Sequence, residues 1–93
     1  MVVMINYDLI EAGKNYEGVA KAIKGCSING TKWVKPLKSL WIIKTSLSVV
    51  DVYAIVKLQM DNDDLILVNE MIQNYQGFLP SNVIPVIAEF FAV

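Results

Sequence analysis

Asp8 is the residue of this 93-residue chain whose type and position are best suited to chemistry. It ends a short apolar run, residues 2–8, whose β-branched residues are typical of a buried strand. Its carboxylate should therefore lie where the chain turns out of a sheet. A carboxylate at such a place can hold a metal ion, bind a donor group of a partner or cap the turn, and the residues alone leave these three roles open.

The side chains that are missing narrow the chemistry further. The sequence has no histidine, which excludes Ser–His–Asp and Cys–His catalysis and every zinc site that needs imidazole. The single cysteine, Cys26, cannot build a thiolate cage. The acidic segment 61–64 lacks the later glycine and glutamate of a calcium loop and is predicted to be a turn. Asp8 is therefore the only credible catalytic or metal-binding centre.

Charge is unevenly distributed along the chain. Residues 1–47 carry seven lysines against three acidic residues, a net charge of +4, whereas residues 48–93 carry one lysine against six acidic residues, a net charge of −5. One interpretation is two solvated faces; the other is an electropositive surface that meets an anion. On the second interpretation Lys14, Lys35 and Lys38 are the candidate ligand-binding or phosphate-binding residues. The chain has no arginine, which argues against strong nonspecific nucleic-acid binding.

The apolar pattern predicts the order strand, helix, strand, strand, helix, strand. The predicted strands are residues 2–8, 32–37, 40–44 and 65–68. The predicted helices are capped by Asn15 and by Ser48. Pro36 makes 32–37 an edge strand, and the unbroken apolar run 65–68 is typical of a fully buried one. Residues 71–75 are a candidate for a further strand. A closing helix is predicted from Asn82, with an apolar stripe formed by Ile84, Ile87, Ala88 and Phe91.

Aromatic residues lie on or beside the apolar stripes of these elements. Trp33 and Trp41 could stack on bases, but tryptophans in the strands of a small sheet more often lie in the core or in a dimer interface. Tyr7, Tyr16 and Tyr53 are likewise predicted to be structural.

This order of elements predicts an α+β protein, a ferredoxin-like βαββαβ sandwich with a C-terminal strand and helix extension, formed by residues 1–93 as a single domain. Both helices would lie on one face of the sheet. The apolar fraction of 55 % exceeds what one small core needs, so we expect a homodimer through the open sheet face. Residues of 40–44 and 65–68 are the candidates for that face.

Nothing in the sequence resembles a membrane span, because no apolar run approaches the roughly 20 residues that cross a bilayer. The first residues read as a strand and carry no basic leader. We therefore expect a cytoplasmic protein.

Several short motifs resemble those of a small ferredoxin-like superfamily that contains the SinR-like proteins, the VapD toxins and the smaller universal CRISPR adaptation protein. The matching motifs are Tyr7-Asp8-Leu9, Gly13-Lys14-Asn15-Tyr16, Ala22-Ile23-Lys24, Trp33, residues 37–43, Leu47-Ser48 and Asp63-Asp64-Leu65. The ordered set covers roughly residues 2–68, and the SinR-like group is the most similar by pattern.

This resemblance implies a homodimer whose two sheets face each other. In the catalytic members an aspartate at the end of the first strand lies near its dimer mate and shares a divalent ion, and Asp8 occupies that position. A Mg²⁺ or Mn²⁺ ion there would support a metal-dependent endonuclease acting on RNA or DNA. The alternative is a noncatalytic homodimer that binds a protein or a small anionic ligand, with a link to mobile elements or host defence. The missing arginines favour this noncatalytic alternative.

Overall fold

The computed structural model describes residues 1–9 and 15–92, so Lys14 lies outside the described residues. The elements follow one another in the order expected up to residue 70, and one more helix closes the chain. They are β1 (Val2–Asp8), α1 (Tyr16–Cys26), a 3₁₀ turn (Ile28–Gly30), β2 (Trp33–Leu37), β3 (Leu40–Lys44), α2 (Val49–Lys57), β4 (Leu65–Glu70) and α3 (Val83–Phe91).

The four strands form one sheet in the order β2-β3-β1-β4, and every neighbouring pair is antiparallel. The predicted α+β class is therefore confirmed. β2 is an edge strand, as Pro36 predicted, and its pairing with β3 is irregular between Val34 and Leu37. Proline has no N–H to donate to a ladder, so an edge strand with a bulge is the place that tolerates it.

Both predicted helix caps are present. The Asn15 side chain accepts a hydrogen bond of 3.1 Å from the Gly18 N–H, and the Ser48 hydroxyl accepts one of 3.1 Å from the Asp51 N–H. Each bond satisfies a backbone donor that the first helical turn leaves unpaired. The local sequence thus decides where α1 and α2 begin.

The two faces of the sheet have different covers, because side chains alternate along each strand. Helices α1 and α2 cover the first face. Their buried residues pack there against alternate residues of β1 and β3, and the largest core cluster is Val3, Ile5, Tyr7, Leu9, Val19, Ile23, Cys26, Trp41, Ile43, Val52 and Val56. Tyr16 and Tyr53 lie outside this core and are exposed, so the structure contradicts the prediction that both pack as structural residues.

The sequence had led us to expect an open second face. The structure shows that this face is only partly open, because α3 packs across part of it. A second cluster forms there from Val2, Ile42, Met71, Val83, Ile87 and Phe90. The closing helix thus buries a stripe different from the predicted one, in which Ile84, Ala88 and Phe91 accompanied Ile87. Most positions of α3 are apolar, so its sequence does not define one buried side.

Two further expectations are wrong. Residues 71–80 form no strand, so the C-terminal extension consists of an irregular segment and a helix. β4 is an edge strand of six residues with only one packed face. Ile66 and Val68 pack on the first core, whereas Leu65 and Leu67 point to the second face and are exposed.

Candidate functional site

Asp8 lies on the second face of the sheet, beyond the part that α3 covers. Residues that face each other across antiparallel strands share a face. Asp8 pairs with Leu65, and Asn6 pairs with Leu67. The two leucines are 60 % and 65 % exposed, although both belong to a strand of the sheet. The carboxylate is therefore next to apolar surface that nothing within the described residues covers.

A row of side chains extends this surface across all four strands. Leu37 pairs with Leu40, Leu40 is opposite Asn6, and Asn6 is opposite Leu67. We call Asn6, Asp8, Leu37, Leu40, Leu65 and Leu67 together the uncovered patch. Leu37 is 54 % exposed, so an apolar residue stands at each end of the row.

The turn between β2 and β3 forms one side of an open depression around Asp8. Ser39, Asn6, Leu65 and Leu67 line this depression with Asp8. The Tyr7 N–H donates a hydrogen bond of 3.1 Å to the Ser39 carbonyl, which fixes the turn against the end of β1. Carboxylate, amide and hydroxyl groups therefore meet at one end of the uncovered patch.

The described residues of one protomer do not group three ligand side chains around Asp8. Among the described residues, the group of three or more possible ligand side chains is Asp61, Asp63 and Asp64, and Asp8 is not part of it. A hard cation such as Mg²⁺ needs several oxygen ligands in a fixed geometry. Asp8 offers one carboxylate, and a second copy of the chain could add another.

The acidic segment before β4 is the turn that the sequence predicted. The ligand atoms of Asp61, Asp63 and Asp64 lie within 4.8 Å of one another. The Asp64 carboxylate accepts a hydrogen bond of 2.9 Å from the Asp61 N–H, and Lys57 Nζ donates one of 2.8 Å to the Asp61 carbonyl. These bonds stabilise the turn between α2 and β4, so the three aspartates have a structural role there.

The candidate lysines do not gather around Asp8. Lys38 lies in the β2–β3 turn, at the same end of the sheet as Asp8. Lys35 belongs to the opposite face, since its Nζ atom is 5.3 Å from the ring centroid of Trp41, which packs under α1. Two of the three predicted lysines are therefore exposed as expected but separated by the sheet, and Lys14 is outside the described residues.

The tryptophans form a cluster that the sequence did not reveal. The ring centroids of Trp33 and Trp41 are 5.3 Å apart, and Lys24 Nζ lies 4.6 Å from the centroid of Trp33. Trp41 is buried and Trp33 is packed against the same core, as the prediction of a core role requires. The Trp41 indole N–H donates a hydrogen bond of 3.1 Å to the Tyr7 hydroxyl, so Tyr7 is structural. Alternation along β1 and β3 places Tyr7 and Trp41 on the first face, but only the packed sheet determines the distance between them.

Cys26 is a core residue and carries no reactive site. Its side chain belongs to the first core, and burial raises the pKa of its thiol. A raised pKa leaves little thiolate at neutral pH.

Another feature that the sequence missed is a cavity of about 500 Å³ on the second face. The sheet, α3 and residues 71–79, which we call the strap, border it, and it is partly open to solvent. No periodicity marks the strap, so no pattern in the residues could have located this cavity.

Comparisons with protein-family models, with curated proteins and with solved structures find no match to this chain. In the part of the chain that the structure describes, no helix is both long and apolar enough to cross a membrane.

Proposed function

We propose that this chain is a noncatalytic, ferredoxin-like homodimer whose copies meet through the uncovered patch and which serves to bind a partner. The observation that carries this proposal is the pair of exposed leucines, Leu65 and Leu67, on a strand whose other face is packed. A contiguous apolar area rimmed by polar groups is the usual mark of an interaction site.

The topology supports the ferredoxin-like assignment. β1 leads through α1 to β2, and β3 leads through α2 to β4. In the sheet order β2-β3-β1-β4, each of these connections passes over one intervening strand, and both helices lie on the same face. This is the arrangement expected of a split βαβ pair.

The energetics of the patch favour association with a second copy. Burying one leucine side chain is worth about 1.5–3 kcal/mol, and a twofold contact would bury Leu65 and Leu67 from both protomers. Asp8 carries the only formal charge among the six residues of the patch. Asp8 is exposed and ends β1, so it lies at the edge of this apolar area.

Sedimentation velocity over a concentration range tests the dimer. We expect the wild-type protein to be dimeric at tens of micromolar. Leu67→Lys should weaken the dimer by about 2 kcal/mol or more, roughly 30-fold, because two charged side chains would enter the interface. The matched control is Leu58→Lys, since Leu58 is 82 % exposed at the end of α2 and lies outside the patch. A wild-type monomer at tens of micromolar, or equal effects of the two variants, would contradict the proposal.

A metal-dependent endonuclease is the second candidate, and one observation favours it. Asp8 is exposed on the same face as the proposed interface, so a twofold axis through that face can bring two Asp8 carboxylates together. The two carboxylates would hold Mg²⁺ or Mn²⁺, which activates water and offsets charge on a phosphodiester.

Cleavage of labelled RNA and DNA with Mg²⁺ or Mn²⁺ tests this second candidate. An endonuclease of this kind should lose its activity in Asp8→Asn and keep it in Glu17→Gln, a neutralised exposed carboxylate on α1. Activity that survives Asp8→Asn would locate the chemistry elsewhere. Equal traces with and without the wild-type protein would end the nuclease hypothesis and leave the binding function.

A further inference from the structure

The cavity on the second face has the size and lining of a small-molecule site. Ligand cavities usually span about 300–1,000 Å³ and are lined mostly by apolar side chains with a few polar groups, and this one measures about 500 Å³. Met4, Leu40 and Ile42 form its floor on the sheet. Ile84 and Ile87 of α3 form one wall, and the strap forms the other.

Polar groups of the cavity lie mainly on the strap and the end of β4. Asn74 and Gln76 line it, and neither side chain has a hydrogen-bond partner within the described residues. The Asn69 amide also lines it; it donates a hydrogen bond of 3.1 Å to the Glu70 carbonyl and contacts Met4 Sδ at 3.9 Å. Carboxamides both donate and accept, so they suit a ligand that carries a hydroxyl, an amine or an amide.

The charge of the lining decides between ligand classes. Glu70 is the only residue of the lining that carries a formal charge, and no lysine is among these residues. Glu70 is the register partner of Val3, so its carboxylate lies on the first face and not in the cavity. An anion or a cation entering this apolar cavity would lose hydration without gaining an opposite charge, whereas a neutral polar group would meet the amides.

We propose that the cavity between the sheet, α3 and the strap binds a small aromatic or otherwise apolar molecule that bears a neutral hydrogen-bonding group. This site differs from the uncovered patch, where the dimer is proposed, although Leu37 and Leu40 belong to both linings. A bound ligand requires no second copy, so failure of the dimer would leave this site intact.

Three probes with the same ring test the charge preference: 1-pyrenemethanol, 1-pyrenemethylamine and 1-pyrenecarboxylate. Fluorescence anisotropy should show saturable binding of the neutral probe to the wild-type protein, with the amine and the carboxylate each bound at least tenfold more weakly. Glu70→Gln and Glu89→Gln should both leave this order unchanged, since the Glu70 side chain lies on the first face and Glu89 is not among the lining residues. A charged probe that binds best, or three probes that fail to saturate, would overturn the proposal.

A variant whose larger side chain fills the cavity provides a second test of the proposal. Ile84→Trp should lower the affinity for the neutral probe at least tenfold, because the larger side chain occupies the cavity. The control is Ile55→Trp, on the exposed side of α2. Equal affinities of these two folded variants would overturn the proposal.

Methyl NMR of the wild-type protein keeps the proposal testable if Ile84→Trp does not fold. The neutral probe should shift the methyl signals of Met4, Ile42 and Ile87 and leave those of Val19 and Val56 in place. If the shifts fall on Leu65 and Leu67 instead, the probe binds the uncovered patch and the assignment of the cavity is wrong. Cavity signals that move with protein concentration alone, without any response to the probes, would assign the cavity to a second copy and also overturn the proposal.

Discussion

Asp8 and Leu65 are register partners at the end of the antiparallel pair β1–β4, so a carboxylate and a 60 % exposed leucine share the part of the second face that α3 leaves uncovered. This relationship joins the two functional proposals. The leucine supplies apolar area for a second copy, and the same contact would bring two carboxylates near each other. Whether those carboxylates oppose or support the dimer depends on a cation between them.

Asp8→Asn should tighten the proposed dimer in metal-free buffer. Two unit charges about 5 Å apart repel each other by roughly 1 kcal/mol or more, so neutralising both should lower the dimer dissociation constant about fivefold or more. If a cation bridges the pair, Mn²⁺ should tighten the wild-type dimer and have no effect on Asp8→Asn. Sedimentation equilibrium with and without Mn²⁺ measures both effects, with Glu17→Gln as control. An unchanged dimer in Asp8→Asn would place the two carboxylates far apart.

Tyr7→Phe should destabilise the protein by about 1–3 kcal/mol. The substitution removes the hydroxyl that accepts a hydrogen bond from the Trp41 indole and leaves a buried N–H without a partner. Urea denaturation followed by far-UV circular dichroism measures the change in the free energy of unfolding. Tyr53→Phe is the matched control, because Tyr53 is exposed and should change stability by less than about 0.5 kcal/mol. Equal losses would show that the bond to Trp41 contributes little.

Thr45→Val should cost about 2–3 kcal/mol, although the two side chains have nearly the same shape. The buried Thr45 hydroxyl donates a bond of 2.7 Å to the Cys26 carbonyl and accepts one of 3.0 Å from the Leu47 N–H. Valine would leave both backbone groups unpaired at the junction of α1 and β3. Thr31→Val, on the exposed turn after α1, is the control in the same denaturation experiment. A neutral Thr45→Val would show that water replaces the hydroxyl.

Cys26 should make the stability of the fold fall in alkaline solution. Burial raises the pKa of the Cys26 thiol in the folded state, so the folded protein keeps a proton that the unfolded chain releases. The thiol's contribution is complete below the unfolded pKa and decreases as the pH rises from about 8.5 towards the folded pKa. Lysines and tyrosines also titrate there, so the measurement is the difference in unfolding free energy between wild type and Cys26→Ala. Parallel pH curves would contradict this linkage.

Local sequence predicted much of the framework, because local contacts decide it. The strand Leu40–Lys44 has its expected bounds, and Asn15 and Ser48 cap their helices as expected. A cap depends on the identity of one side chain and on an N–H three residues later. Pro36 likewise identified its strand as an edge, since a missing donor cannot be used in a central strand.

Local sequence did not predict which elements would cover each face of the sheet. The run from Leu65 to Val68 is apolar at every position, because one side packs on the core and the other forms the uncovered patch. Such a run looks like a strand that is buried on both faces. Similarly, α3 is apolar on most sides, so its pattern did not show that Val83, Ile87 and Phe90 would close over Ile42.

The sequence by itself determined that Asp8 ends the first strand and that no histidine or second cysteine competes with it for catalysis. The tertiary structure decided what surrounds that carboxylate. Alternation and register place Asp8 on the second face beside Leu65, while α3 covers the other end of the same face and leaves a cavity under the strap. The physical reason is that the end of a strand is a local property, whereas the cover of a face depends on contacts between residues distant in sequence.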